Sequence, residues 1–142
     1  MAAGLHVDIV TPDRRVFHGE VHGIRAPGVQ GSFEIRRNHA PMIAALRIGP
    51  LLLTLPARAN VTFATSGGFL EVIGNVVTVL AETAEPATDI DIDRAREAEA
   101  RARERLAAGG SDLDRLRAER ALERARNRAR VALGRVGMQE PA

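Results

Sequence analysis

The stretch from residue 66 to residue 85, SGGFLEVIGNVVTVLAETAE, decides the fold of the first part of the chain. On both sides of the Gly-Asn pair at residues 74 and 75, β-branched and large apolar residues recur at the period of two that is typical of β-strands. A Gly-Asn pair between two such runs is a signal for a two-residue turn. Residues 69–83 are therefore predicted to form a β-hairpin with Asn75 in its turn.

The residues before this stretch have the same pattern. LHVDIV places Leu5, Val7 and Ile9 on one face of a strand, and SFEI and NVTFAT are short runs rich in β-branched or aromatic residues. The segments TPDR, APGVQG, IGP and TSGG separate these runs and are predicted to be turns, which makes Gly67 and Gly68 turn residues. Short strands at this spacing, with no helical pattern between them, predict an antiparallel β-sandwich or barrel.

After Pro86 the chain changes character, because residues 87–133 are mostly Ala, Arg, Glu, Asp and Leu. Residues 89–108 begin with acids and end at Gly109 and Gly110, which is the order expected from a helix N-terminus to its C-cap. A second helix is predicted from Ser111 to Gly134. The short connection makes the helices antiparallel neighbours. We therefore predict two domains, an all-β sandwich in residues 1–86 and an α-helical hairpin in residues 87–142.

The apolar stripes of the two predicted helices consist mostly of alanine. They comprise Ala95, Ala98, Ala102 and Leu106 on the first helix, and Ala118, Ala121, Leu122, Ala125, Ala129 and Ala132 on the second. Alanine allows close approach but buries little apolar area, and burial stabilises by about 25 cal/mol per Å². The hairpin is therefore predicted to be weakly held and able to occupy more than one position.

Composition excludes several classes of function. The chain has 142 residues, no cysteine, no Tyr or Trp, and all of its 20 basic residues are arginine. A P-loop or Schiff-base lysine is therefore absent, and the shortage of aromatic residues argues against base-stacking modules for nucleic acid. We expect a cytoplasmic protein, because the N-terminus does not resemble a signal peptide and no apolar run is long enough to span a bilayer.

No set of residues has the spacing of a catalytic or metal site. The Gly-Gly-Phe segment that begins at Gly67 lacks the spacing of a phosphate-binding loop, and the four histidines form no ligand motif. Glu82 and Glu85 are most simply the polar ends of a strand. We therefore predict no catalytic residue, no metal and no required cofactor.

An arginine stripe on the second helix is the strongest candidate for a binding surface. It consists of Arg117, Arg120, Arg124 and Arg128. Two interpretations stay open at this point: a solvated face whose cations are favoured near a helix C-terminus, and a docking surface for an acidic partner or a phosphate ligand.

Three segments together resemble the epsilon subunits of bacterial ATP synthase. They are VDIVTPDRRVFHGEV, GSFEIRRNHAPMIAALRIG and TSGGFLEVIGNVVTVLAETAE, and the Ala/Arg-rich hairpin follows where that family has one. The resemblance covers nearly the whole chain. It implies a ten-stranded sandwich that binds the gamma subunit and the ring of c subunits in the central rotor stalk. The chain would then be a non-catalytic subunit that couples ion translocation to ATP synthesis.

The resemblance also implies a regulatory hairpin. In this family the hairpin folds onto the sandwich or extends along gamma towards the alpha and beta subunits, and the extended form blocks ATP hydrolysis. The arginine stripe would then meet the acidic C-terminal region of beta. The location implied is the cytoplasmic face of the cell membrane, where the chain is held only through the complex.

A short motif implies ATP as a regulatory ligand. Some members of the family bind ATP through the pattern I/L-D-x-x-R-A, which Ile90, Asp91, Arg94 and Ala95 match in this chain. Family members that bind also use a Glu before the helices and arginines on both helices. The matching positions here are Glu85, Arg101, Arg124 and Arg128.

Three rival classes are weaker. A free-standing adaptor with a helical lever lacks a rotor context and is tested by co-purification with gamma. A nucleic-acid binder would show steep salt dependence, but acids are interleaved with the arginines of the hairpin. An enzyme acting alone would need an activated nucleophile or an acid–base pair, and the sequence has neither.

Overall fold

The computed structural model describes residues 4–57 and 59–134. The chain divides into two compact units, Met1–Pro86 and Ala87–Ala142. The tail beyond Gly134, for which the sequence offers no interpretation, lies outside the described residues.

The first unit consists of β-strands. Eight of them lie in its described residues: β1 Leu5–Val10, β2 Arg15–Val21, β3 Gly23–Gly28, β4 Gly31–Arg36, β5 Met42–Thr54, β6 Asn60–Ile73, β7 Val76–Ala81 and β8 Ala84–Pro86. The hydrogen-bonded order is β2-β1-β7-β6-β5-β3-β4, and β8 pairs with β6. This arrangement confirms the predicted β-sandwich.

One pairing in the sheet is not antiparallel. β1 and β2 form the predicted antiparallel hairpin around residues 11–14, but β1 runs parallel to β7 on its other side. The alternation of apolar residues shows which face of a strand is buried and carries no information on the direction of its neighbours. The expectation of a purely antiparallel sandwich is therefore wrong at this one pair.

The core is built from the inward faces of these strands. Leu5, Val7 and Ile9 are each at most 1 % exposed, as the alternation in LHVDIV predicted. The same alternation buries Leu70 of β6 and Val77 of β7. Branched aliphatic side chains suit the pleated surface of a strand, and each one fully buried contributes about 1.5–3 kcal/mol. This core holds the first unit together.

The strand count differs from the ten implied by the resemblance, because β5 and β6 are long strands of 13 and 14 residues. β6 changes partner along its length: residues 63–65 pair with β8 and residues 68–73 pair with β7. Counted as two strands each, β5 and β6 would bring the number to ten. The architecture is therefore the expected one, except that β5 and β6 each run on without a break where a ten-stranded count would place a connection.

The continuity of β5 and β6 corrects the prediction that the segments IGP and TSGG are turns. Gly49 lies inside β5 opposite Thr65, whose hydroxyl donates to the Gly49 carbonyl at 3.0 Å. Gly67 and Gly68 lie inside β6 with φ angles of 78° and 135°. A Cβ on Gly68 would stand 2.0 Å from the carbonyl oxygen of Leu80. Glycine is needed at residue 68 because the neighbouring strand passes too close for any side chain.

The predicted hairpin turn at Asn75 is present. Gly74 and Asn75 connect β6 to β7 with φ angles of 55° and 62°, which is the left-handed conformation that a two-residue turn requires. Asn75 also accepts a hydrogen bond at 2.6 Å from the backbone N–H of Asn38, and its amide donates to the Asn38 side chain at 3.2 Å. These bonds tie the loop between β4 and β5 to the β6–β7 turn.

The second unit is the predicted helical hairpin. A 3₁₀ turn at Ala87–Asp89 leads into α1, Ile92–Ala108, and α2, Asp112–Ala132, packs against α1. α1 ends at Gly109, whose φ of 76° stops the helix. Ser111 and Asp114 form a capping box at the start of α2, with Ser111 accepting from the Asp114 N–H and Asp114 accepting from the Ser111 N–H. Local capping therefore sets the limits of both helices.

Candidate functional site: the arginine face of the helical hairpin

The two helices pack through the alanine stripes that the sequence predicted, here called the seam. The fully buried seam residues are Ala95 and Ala102 on α1, and Ala118, Leu122, Ala125 and Ala129 on α2. Leu106 of α1 is half-buried at the end of the same stripe. α2 also buries Asn127 and Val131, which lie on another side of the helix and which the sequence analysis missed. The seam fixes which way every other side chain of the hairpin points.

At six positions of the hairpin, an arginine immediately precedes either a buried alanine of the seam or Leu106. We call these six residues the arginine face: Arg94, Arg101 and Arg105 on α1, and Arg117, Arg124 and Arg128 on α2. A helix turns by about 100° per residue, so each of these arginines projects from the same edge of its stripe. A two-fold axis relates two antiparallel helices that pack seam to seam. Residues that lie the same number of positions before a seam residue on α1 and on α2 are therefore on the same side of the helix pair.

Arginine predominates at this offset from the seam. Of the other stripe residues, Ala121 follows Arg120, and Leu122 and Ala132 follow apolar residues. Ala98 follows Glu97, which is the one carboxylate at this offset in the two helices. The opposite offset, one residue after the seam, carries both signs, for example Arg103 and Glu119. A predominantly positive surface on otherwise mixed helices favours anionic ligands or an acidic partner.

The structure extends the predicted stripe and adjusts it. Arg117 and Arg124 are exposed members of the face and Arg128 is half-buried, whereas Arg120 is exposed and points further from the seam. Arg105 was missed because the sequence analysis searched α2 alone for a stripe. Its position immediately before Leu106 is the signal that could have identified it.

The predicted ATP motif forms the start of α1. Ile90 is 8 % exposed and Ala95 is fully buried, so these two residues hold the helix start in place. Asp91 is the N-cap of α1, and its carboxylate accepts from the backbone N–H of Arg94 at 3.2 Å. One oxygen of Asp91 is therefore already used in capping. The Arg94 side chain is exposed.

The remaining predicted ATP residues are divided between the two units. Arg124 and Arg128 stand one turn apart on α2, so their guanidinium groups project in one direction. Arg101 is exposed on α1 two turns after Arg94. Glu85 lies in β8 of the first unit, half-buried and paired through the backbone with Ala64. Within the second unit the structure brings the four predicted arginines together on one face.

The residues that could have suggested catalysis have structural roles in the described segments. The Ser66 and Thr83 hydroxyls are hydrogen-bonded to each other across β6 and the β7–β8 connection. Glu82 is exposed, and its N–H donates to the Gly67 carbonyl. Within residues 4–57 and 59–134 no cluster of three or more His, Asp or Glu side chains could hold a metal ion.

A second surface belongs to the sandwich. Large apolar side chains on neighbouring strands face outward and are between 50 % and 72 % exposed: Ile43, Phe69, Ile73, Val76 and Leu80. Phe69 is paired with Leu80 and Ile73 with Val76 across β6 and β7, so these side chains are neighbours on one face of the sheet. Exposed apolar side chains grouped in this way around Glu71 and Thr78 favour a protein–protein contact. We call this surface the apolar face.

Comparison with known families identifies the architecture. The family model described as ATP synthase, Delta/Epsilon chain, beta-sandwich domain matches residues 4–87, and the model described as ATP synthase, Delta/Epsilon chain, long alpha-helix domain matches residues 88–132. The chain belongs to the ATP synthase delta/epsilon family. Its function is that of the epsilon chains of this family, which are non-catalytic subunits of the central stalk of ATP synthase.

Curated members of the delta/epsilon family are similar over almost the whole chain. The ATP synthase epsilon chain of Salinibacter ruber is 55 % identical, and the alignment covers 99 % of each chain. The ATP synthase epsilon chain of Nitratidesulfovibrio vulgaris is 48 % identical, over 92 % of this chain and 97 % of the relative.

Solved structures show the same fold at low sequence identity. A chain in the mitochondrial ATP synthase of Euglena gracilis (OSCP/F1/c-ring) matches with a TM-score of 0.80 at 22 % identity, over 89 % of this chain and 80 % of that chain. A chain in the central stalk and c-ring of the Tetrahymena thermophila mitochondrial ATP synthase matches with a TM-score of 0.58 at 15 % identity, over 89 % and 95 % of the two chains. None of the helices in the described residues combines the length and hydropathy needed to cross a membrane.

Proposed function

We propose that the helical hairpin of this chain regulates ATP hydrolysis by ATP synthase and that the arginine face is the surface through which it acts. The observation that carries this proposal is the placement of six arginines at one offset from the seam, where Glu97 is the one carboxylate. A face that is merely solvated would be expected to carry side chains of both positive and negative charge, as the other side of the same hairpin does. A predominantly positive face favours a specific anionic partner.

The proposed regulation uses two positions of the hairpin. In the closed position the two helices pack together, as they do in this structure. In the open position they extend along gamma towards alpha and beta, the arginine face meets the acidic C-terminal region of beta, and hydrolysis is blocked. The alanine seam supports this proposal, because helices that bury little area between them separate at low cost.

ATP is the regulatory ligand we propose for the closed position. Arg124 and Arg128 are spaced to hold phosphate oxygens together, with Arg94 and Arg101 available on α1. The free carboxylate oxygen of Asp91 is available for an adenine amine, and Glu85 remains a prediction from the family motif. A ligand that binds only the closed position shifts the equilibrium by its differential affinity. High ATP would thus relieve inhibition.

The sandwich is proposed to attach the chain to the rotor. The apolar face supports a contact with gamma, since exposed side chains such as Phe69 and Leu80 would be covered there. A contact with the ring of c subunits completes the attachment. The chain would then lie at the cytoplasmic face of the cell membrane, held only through the complex, and it would have no nucleic-acid partner.

The regulatory proposal is tested by measuring ATP hydrolysis of the catalytic complex with the full chain and with a chain ending at Pro86. The shorter chain retains all eight strands and their core. We expect higher hydrolysis with the shorter chain and equal co-purification of both chains with gamma. Equal hydrolysis with bound shorter chain would refute regulation by the hairpin and leave attachment to the rotor intact.

The proposed ATP contact is tested with the double variant Arg124→Ala, Arg128→Ala in backbone NMR of the full chain. Millimolar ATP should shift hairpin resonances of the unmodified chain and not those of the variant. The double variant Arg96→Ala, Arg115→Ala is the matched control, because it also removes two arginine charges, but on the other side of the seam. Normal ATP shifts in the first variant would refute the phosphate contact.

A further inference from the structure

A cluster of three charged residues joins the two helices on the side of the seam opposite the arginine face. We call Glu99, Arg103 and Arg126 the Glu99 cluster. Oε1 of Glu99 lies 2.8 Å from Nη2 of Arg103, one turn further along α1, and 3.5 Å from Nε of Arg126 on α2. The Glu99 side chain is 21 % exposed, and the two arginines are 59 % and 44 % exposed. The partly buried carboxylate of Glu99 thus forms an ion pair with one arginine on each helix.

The cluster is separate from the proposed binding surface. Arg103 follows the seam residue Ala102, and Arg126 follows Ala125, so both project from the opposite edge of the seam to the arginine face. Glu99 lies next to the seam, immediately after Ala98 and one turn after Ala95. A change in this cluster can therefore alter how the helices hold together without touching the arginines proposed to bind ATP or beta.

The two ion pairs of Glu99 respond differently to separation of the helices. Glu99 and Arg103 belong to the same helix, so their contact persists whether or not α2 is close. The contact between Glu99 and Arg126 exists only while α1 and α2 are packed together. An interaction present in only one of two states shifts the equilibrium towards that state.

We infer that the Glu99–Arg126 contact is a conformational latch that sets the fraction of the hairpin in its closed position. The alanine seam contributes little area per residue, so an interhelical ion pair adds to the free energy that favours closure. The inference rests on the proposed function only for its consequence: a weaker latch would give stronger inhibition of hydrolysis.

Arg103 limits the strength of the latch. Its guanidinium is closer to Oε1 of Glu99 than Arg126 is and draws on the same oxygen. Removal of Arg103 leaves the whole carboxylate to Arg126, whereas removal of Arg126 deletes the interhelical contact. Arg103→Gln and Arg126→Gln each remove one partner of the same carboxylate, yet only Arg126→Gln should open the hairpin.

The test measures the distance between the helices in the full chain. Since the sequence has no cysteine, Glu104→Cys and Glu123→Cys, both at exposed positions, give two unique sites for spin labels. We expect Arg126→Gln to raise the population with separated labels by about two- to fivefold, the range for partly exposed ion pairs. Arg103→Gln should leave it unchanged or lower it. High salt should act like Arg126→Gln on the unmodified chain.

Two controls separate the latch from loss of folding. Helix content from circular dichroism should be the same in both variants, because neither position is a cap or a buried apolar residue. Arg126→Glu should open the hairpin further than Arg126→Gln, since it places a like charge against Glu99. Label distances that do not change in Arg126→Gln, or that change equally in Arg103→Gln, would overturn the inference.

The assembled enzyme then distinguishes the latch from the proposed function. Arg126→Gln should deepen inhibition of hydrolysis, and Arg103→Gln should not. If label distances respond and hydrolysis does not, the latch stands and the regulatory role falls. If label distances fail to respond, the latch falls, and the comparison with the chain ending at Pro86 decides the regulatory role by itself.

Discussion

At the residue scale, the glycines of TSGG show how the same residue type can have two structural meanings. Gly and Ser between two apolar runs are typical of a turn, and a turn is what the local sequence predicts. In the structure, Gly68 instead lies inside β6 because the carbonyl oxygen of Leu80 leaves no space for a Cβ. The requirement for glycine comes from the neighbouring strand β7. The local sequence around Gly68 does not show that β7 passes there, so only the paired strands reveal it.

Substitution of Gly68 by alanine should destabilise the sandwich by about 2 kcal/mol or more, since a clash is added to a strained φ of 135°. The matched control is Gly31→Ala, which has a similar φ of 128° but no atom within 4 Å of the added Cβ. The free energy of unfolding of the Gly31→Ala control should fall by about 1 kcal/mol. Urea unfolding followed by circular dichroism measures both, and equal losses would contradict the role of the clash.

At the element scale, the end of α1 and the start of α2 were predictable because caps are local, whereas α1 begins at Ile92, three residues later than predicted, after a 3₁₀ turn at Ala87–Asp89. Ser111 and Asp114 are three residues apart in the sequence, and their capping box is complete in the structure. Gly109 ends α1 as predicted. Asp91 also lies next to the helix that it caps, but the sequence left two roles open for it, a helix cap and a nucleotide contact. The structure shows that its carboxylate caps α1, and the nucleotide contact stays a prediction.

Replacement of Asp91 separates these two roles. Asp91→Ala should weaken the start of α1 by about 0.5–2 kcal/mol, whereas Asp91→Ser retains a side-chain oxygen that can cap the helix. Amide exchange of the first turn of α1 should accelerate in the Ala variant and stay near that of the unmodified chain in the Ser variant. Equal acceleration in both would show that a serine cap does not replace the carboxylate. An ATP response absent from both variants, with α1 intact in the Ser variant, would assign the carboxylate to the ligand as well.

At the scale of the whole molecule, the two units are stabilised by different means. The sandwich buries large aliphatic side chains such as Ile9, Leu53 and Leu70, all fully buried. The hairpin closes its seam mainly with alanines, which contribute much less per residue. The two units are therefore expected to open with different free energies.

Native-state hydrogen exchange should show this difference directly. We expect mid-helix amides of α1 and α2 to exchange at least about tenfold faster than the amides of β1 and β6, a difference of about 1.4 kcal/mol or more in opening free energy. NMR under native conditions resolves both sets in one sample. Equal protection of the helices and the strands would contradict a weakly held hairpin.

Local patterns in the sequence determined the period of the strands, the turn at Asn75, the caps of both helices and the alanine seam, because each depends on residues a few positions apart. The tertiary structure decided the parallel pairing of β1 with β7, the continuity of β5 and β6, the need for glycine at residue 68, and the meeting of Glu99 with Arg126. Each of these depends on segments that are distant along the chain and close in space. The periodicity of a single segment records which face is buried, and it does not record which segment will lie against that face.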